Sequence, residues 1–293
     1  MKFEGIITPM LTPFNNEQEL DLEATKKLVN HLLDNGVSGL FILGTNGEFH
    51  VLTKEEKLLF AKTVIETTNH RVPVYVGTGE NSTRETIELS LEMEALGADA
   101  LSVITPYFLA PSKEELIQHY KSVAASVNLP IILYNIPKNT GINITPEIAA
   151  ELADVKNIVA LKDSSGDMEQ MGAYIDACKG KNIQFLVGSD SKMLEAFKLG
   201  AVGAIAGTSN VITQLDVNIY KNFIAGNMEE AQHLQDDMEL FRSVNKMGSV
   251  PSIMKKALEI MGISVGCARL PVSEPDENII NEIKKMLLYY HLS

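Results

Sequence analysis

At 293 residues the chain is long enough to bury a large core, and single-domain α/β barrels fall in this range. A hydrophobic content of 45% with 22% charged residues excludes intrinsic disorder, and a net charge of −13 without an acidic tail argues against nucleic acid as a partner. Only Cys178 and Cys267 are present, without CxxC spacing, and the six histidines show no clustered ligand spacing, so neither a disulfide framework, a metal nor a cofactor is expected.

The stretch from Met1 to Pro9 lacks the apolar core and cleavage site of a signal peptide, and no later stretch could span a bilayer. The expected location is the cytoplasm, with no membrane partner. Short apolar runs then recur along the chain: Gly5 to Thr8, Gly39 to Leu43, Pro73 to Gly77, Ala100 to Ile104, Pro130 to Tyr134, Ile158 to Lys162, Gln184 to Gly188 and Gly203 to Gly207. Between them lie helix-period segments, such as Leu22, Val29, Leu32 and Leu33 ending at Gly36. Thr53-Lys-Glu-Glu56, Ser82-Thr-Arg-Glu85 and Ser112-Lys-Glu-Glu115 match capping boxes, and Thr145-Pro146 reads as an N-cap followed by proline.

Eight such units closing on themselves give a (β/α)8 TIM barrel, with functional loops at the carboxyl ends of the strands. The rival is a doubly wound open sheet, but Gly77-Thr-Gly79-Glu-Asn-Ser82 has serine at the third glycine position of its fingerprint. After Gly207 the pattern is helical only. Phe223 to Gln235 reads as one amphipathic segment, Ile253 to Met261 and Ile279 to Leu288 as others, and Arg269 to Pro275 as a linker. The predicted organisation is a catalytic barrel over 1–225 and a helical region over 226–293 packed on it.

Lys162 ends the run Asn157-Ile-Val-Ala-Leu-Lys162, where a cation costs several kcal/mol of desolvation unless it is paired or neutral. Desolvation lowers a lysine pKa, and a partly neutral amine can form a Schiff base with a ketone. An isolated lysine at a strand end more often runs its stem over apolar surface and its head into water. Its company here is Thr45-Asn46-Gly47-Glu48, Tyr107, Tyr134, Gly188-Ser-Asp190 and Gly207-Thr-Ser-Asn210 at the other strand ends. An amine, a phenol and glycine-rich turns with free N–H groups suit Schiff-base chemistry on a small 2-oxo acid, whose carboxylate the turns would hold.

Gly44-Thr-Asn-Gly-Glu48, Tyr134-Asn-Ile-Pro137 with Thr140-Gly141, and Leu161-Lys-Asp-Ser-Ser-Gly166 resemble three signatures of the dihydrodipicolinate synthase and N-acetylneuraminate lyase family, in order from about Gly5 to Pro271. The resemblance implies a barrel with helical carboxyl-terminal part, a homotetramer, and a lysine that forms an imine with pyruvate before an aldehyde partner is joined or released. By motif position Lys162 is the expected nucleophile, Tyr134 the proton shuttle, and Thr45 and Asn46 the pyruvyl-carboxylate binders. Tyr107 matches a tyrosine that in the synthases reaches the neighbouring subunit's site; the bland alternatives are a core tyrosine for Tyr134 and a loop aromatic for Tyr107.

Two departures bear on the aldehyde. Synthases that use aspartate semialdehyde usually carry an arginine where this chain has Asn139, beside Lys138, and asparagine cannot supply a bidentate cationic fork. Asn46 and Phe49 look more like the sugar-acid aldolase branches, with Asp190 available for a substrate hydroxyl or, equally, for a helix N-cap. Asn139, Asp190 and Gly207 join Thr45 and Asn46 as candidate substrate-binding residues. The leading expectation is a 2-keto-3-deoxy sugar-acid aldolase, ahead of 4-hydroxy-tetrahydrodipicolinate synthase and N-acetylneuraminate lyase. A phosphosugar enzyme using Gly188-Ser189 and Gly207 to Asn210 as a phosphate cradle, and a non-catalytic barrel, are the rivals from other classes.

Overall fold

The structure, a computed structural model, describes residues 2–292. Eight parallel strands follow one another around a closed barrel: β1 (Gly5–Pro9), β2 (Gly39–Ile42), β3 (Val74–Gly77), β4 (Ala100–Ile104), β5 (Ile131–Asn135), β6 (Ile158–Asp163), β7 (Gln184–Val187) and β8 (Gly203–Ile205). Each falls on one of the apolar runs, shifted by no more than two residues at an end. Closure rules out the open doubly wound sheet.

The helices, in chain order, are α1 (Leu22–Asp34), α2 (Lys54–Thr68), α3 (Thr83–Ala95), α4 (Lys113–Ser126), α5 (Pro137–Thr140), α6 (Pro146–Leu152) and α7 (Met168–Ala177). They continue with α8 (Met193–Leu199), α9 (Thr213–Ile224), α10 (Met228–Asp237), α11 (Glu239–Asn245), α12 (Val250–Ile260) and α13 (Glu277–Tyr289). By contacts the chain forms two compact units, one of Met1–Gly5 with Pro73–Ala206 and one of Ile6–Val72 with Gly207–Ser293. The expected boundary at 225/226 falls inside the second unit, between α9 and α10.

In the first unit, β3 to β8 alternate with α3 to α8. The strands read as continuous apolar runs because parallel strands are covered on both faces, and β4 and β5 are buried at every position. Ser112 and Glu115 form the full reciprocal capping box of α4. At α3 the box is half formed: Ser82 accepts from the Glu85 N–H at 3.1 Å, but the Glu85 carboxylate takes the Ser82 hydroxyl instead of a backbone N–H.

The second unit holds β1, β2, α1, α2 and the five helices from α9 onward. Asp21 caps α1 through the Ala24 N–H at 2.9 Å, and Thr53 with Glu56 forms the full capping box of α2. One expectation for the carboxyl-terminal part is corrected. The predicted single segment from Phe223 to Gln235 is two helices, broken at Gly226, whose φ of +80° no helix interior allows. The short α11, four of whose seven residues are polar, went unpredicted. No described helix is long and apolar enough to cross a membrane.

Candidate active site

In the first unit, β5 and β6 pair in a register that sets Tyr134 directly opposite Lys162 and Asn135 opposite Asp163. Side chains alternate along a strand, so the two pairs lie on opposite faces of the sheet. Asp163 and Asn135 face the helices: the Asn135 amide donates to Asp163 at 2.8 Å and to Tyr174 on α7 at 3.2 Å, and Ser165 donates to Asp163 at 2.5 Å. Burial raises the Asp163 pKa against those hydrogen bonds. This polar cluster fixes the two strand ends that carry Lys162 and Tyr134.

Lys162 is 4% exposed, and its Nζ lies 3.9 Å from the centre of the Tyr134 ring. Burial holds the ammonium pKa below the usual lysine range, opposed by the Tyr134 phenol and by the Asp190 charge. Desolvation is the larger effect, so the neutral amine is more accessible than on a surface lysine. Gly188 lets this happen sterically: a Cβ there would overlap the Ser164 hydroxyl and come within 2.9 Å of Lys162 Cε.

Asp190 is half-buried and is the first residue of a short 3-10 turn whose N-cap position is Ser189. The backbone N–H of Tyr107 donates to Asn81 at 2.8 Å, and burial, then the charges of Glu80 and Glu85, push its phenol pKa up. Asn139 is exposed beside the equally exposed Lys138 on α5. The flanking motif residues shape the chain: Thr140 Oγ1 donates back to the Ile136 carbonyl at 3.2 Å, and Gly141 closes α5 at φ +74°.

In the second unit, β2 ends at a left-handed residue, Leu43, and turns through Gly44-Thr45-Asn46-Gly47. Thr45 and Asn46 are half-buried at the head of that turn. Gly47 donates to the Gly44 carbonyl at 3.1 Å and its own carbonyl accepts from Thr12 Oγ1 at 2.6 Å. Gly207 opens a buried 3-10 turn after β8. That turn is tied to β1 through Thr8 and Ser209, 2.7 Å apart, and through Asn210, which bonds the Pro9 and Gly207 carbonyls at 3.0 Å each. The structure thus unites Lys162, Tyr134 and Asp190 within the first unit and builds the Thr45-Asn46 and Gly207 turns as firmly held loops in the second.

Sequence reasoning missed a second set of buried ions in the second unit. Glu48 and Lys255 form an ion pair at 2.7 Å with side chains 3% and 1% exposed. Arg269, expected in a linker, donates twice to Glu56, at 2.7 and 2.9 Å, and to the Val51 carbonyl at 2.8 Å. The available signal was Lys255 itself, a cation on the apolar face of α12 with Ser252 and Leu258.

Comparison with known proteins came to the same family as the motifs. Residues 2–289 match the model of the dihydrodipicolinate synthetase family. A 4-hydroxy-tetrahydrodipicolinate synthase of Halalkalibacterium halodurans is 38% identical over 272 residues, covering 93% of this chain and 92% of that protein. The crystal structure of dihydrodipicolinate synthase from Thermotoga maritima superposes with a TM-score of 0.96 at 32% identity, covering 100% of both chains. A chloride-inhibited dihydrodipicolinate synthase from Acinetobacter baumannii, complexed with pyruvate, gives a TM-score of 0.95 at 34% identity, again over 100% of both chains. These relatives favour the synthase over the sugar-acid aldolase that led the sequence reading, which finds no support among them.

Proposed function

The chain belongs to the dihydrodipicolinate synthetase family and is a class I, lysine Schiff-base carbon–carbon lyase; from that premise we propose that it is a 4-hydroxy-tetrahydrodipicolinate synthase, condensing pyruvate with aspartate semialdehyde. The observation that carries the imine chemistry is the buried Lys162 amine, its pKa lowered by desolvation, 3.9 Å from the Tyr134 ring. The relatives supply the aldehyde.

In this reading Lys162 attacks the keto carbon of pyruvate and gives a carbinolamine. Tyr134 relays the proton that lets its hydroxyl leave as water, so that the imine forms. Loss of a proton from C3 turns the imine into an enamine, whose C3 attacks the aldehyde carbon; the amino group brought in by the semialdehyde then displaces the lysine nitrogen from the imine carbon, closing the ring and returning the free lysine. Thr45 and Asn46 receive the pyruvyl carboxylate through hydroxyl and backbone N–H, with Gly207 lining the opposite turn. Tyr107 is assigned to the site of a neighbouring subunit, as in the synthases it resembles, and Asp190 favours the charged form of the nitrogen.

The carboxylate of the semialdehyde needs a cation, and Asn139 is none. Lys138, its exposed neighbour on α5, is the group we assign to it, a point charge on a flexible stem in place of a bidentate fork. Lys138→Met is expected to lower semialdehyde condensation about tenfold or more, the scale of a charged hydrogen bond, and Asn139→Arg to raise it by a similar factor. Neither should alter borohydride trapping by pyruvate alone. On the side of a sugar-acid aldolase stand this same Asn139 and the resemblance of Asn46 and Phe49 to those branches. Coupled assays of both reactions on the unmodified protein decide: a sugar-acid rate far above the semialdehyde rate would overturn the synthase assignment and leave the imine chemistry standing.

A further inference from the structure

Glu48 stands directly after the Thr45-Asn46-Gly47 turn in the left-handed region, at φ +56° and ψ +31°. A non-glycine residue keeps that conformation where its surroundings hold it. Here they do. Its N–H donates to the Thr45 carbonyl at 3.2 Å, one carboxylate oxygen accepts from the Arg269 N–H at 2.8 Å, and the other meets Lys255 Nζ at 2.7 Å.

Lys255 reaches this carboxylate from α12. Its ammonium also donates to the Cys267 carbonyl at 3.0 Å and lies over the face of Phe14, with the ring centre 4.2 Å away. Arg269 covers the same ring, its guanidinium carbon 4.4 Å from the centre, and is itself clamped by Glu56. A buried ion pair seldom adds stability over well-packed apolar residues of the same volume, so its presence calls for a geometric reason. The reason available on this face is the turn that Glu48 ends. Moving the Glu48 carboxylate would move its backbone, and with it the direction of the Thr45 hydroxyl and the Asn46 and Gly47 N–H groups.

We propose that Glu48 and Lys255 are positioning residues for the 2-oxo acid: by fixing the end of the Thr45-Asn46-Gly47 turn to α12, they make the helices that follow the barrel a determinant of pyruvate affinity. Neither residue touches the reacting atoms. The inference rests on the reading of that turn as the carboxylate site, and its test separates the two.

Lys255→Met keeps the stem and removes the charge. The expected result is an apparent KM for pyruvate raised about tenfold or more, with kcat within about twofold, the pattern of lost uniform binding. Borohydride trapping of Lys162 should slow with pyruvate below saturation, yet proceed at the wild-type rate with methyl pyruvate, which has no carboxylate to place. The double variant Glu48→Gln with Lys255→Met removes both buried charges at nearly constant volume and gives the same readout where the single variant does not fold. Thr45→Val is measured alongside. A raised KM in Thr45→Val with an unchanged KM in Lys255→Met overturns the positioning role alone; an unchanged KM in both overturns the carboxylate site. A loss of trapping with methyl pyruvate as large as that with pyruvate shows general damage and also overturns the proposal.

Discussion

At the scale of single residues, the chemistry turns on a lysine made unlike other lysines by where its strand ends. The side chain is 4% exposed, burial disfavours the ammonium, and Tyr134 and Asp190 restore part of it. The result is an amine that sheds its proton at lower pH than a surface lysine, beside a phenol able to accept and return one. Tyr134→Phe keeps the ring that packs on Lys162 and deletes the relay. Its kcat is expected to fall by roughly two to four orders of magnitude, the contribution of a positioned acid–base group, with the fold intact by circular dichroism. A variant with near wild-type turnover at saturating substrate would return Tyr134 to packing. Lys162 was legible in the sequence because a cation closing an apolar run is conspicuous. The pairing of Glu48 with Lys255 was not, since the two lie far apart in the sequence and only the fold joins them.

At the scale of elements, register does most of the placing. The pairing of β5 with β6 sets Tyr134 against Lys162 and turns Asn135 and Asp163 to the helices, so one strand end carries chemistry on one face and structure on the other. Helix starts were readable because a cap is local: Thr53 and Glu56, like Ser112 and Glu115, stand only three residues apart in the chain. The break between α9 and α10 was hidden, because the apolar spacing continues across Gly226 while the backbone does not. One interhelix contact makes a pH prediction. His119 on α4 is 6% exposed and bonds Thr83 on α3 at 2.9 Å, and burial lowers its pKa from 6.5 to about 4. The unfolded chain binds the proton more readily, so stability is full above pH 6.5 and is lost as the pH falls through about 4. The loss from this group is on the order of 3 kcal/mol. Urea midpoints between about pH 7 and pH 4 should therefore drop less steeply in His119→Gln than in the wild type; parallel slopes would remove His119 from the acid transition.

At the scale of the whole molecule, the barrel was legible because its eight apolar runs are regular and its motifs sit at their carboxyl ends, where a parallel barrel gathers its loops. The identity of the aldehyde was less so. Asn139 drew the reading toward sugar acids, since one missing cation weighs heavily when motifs are read position by position, whereas a synthase 38% identical over 272 residues weighs the chain as a whole. The helices after the barrel were read as packing alone, yet α12 sends Lys255 to the turn after β2, and breaking such a buried pair from one side costs about 3–5 kcal/mol. The family membership, the buried amine and the adjoining phenol converge on one covalent event. The most direct test is to reduce the protein with borohydride in the presence of pyruvate and map the adduct by peptide mass spectrometry. The account predicts a reduced pyruvyl group on Lys162 alone, absent without pyruvate and absent from Lys162→Ala. An unmodified Lys162, or an adduct carried by Lys255 or any other lysine, would contradict it.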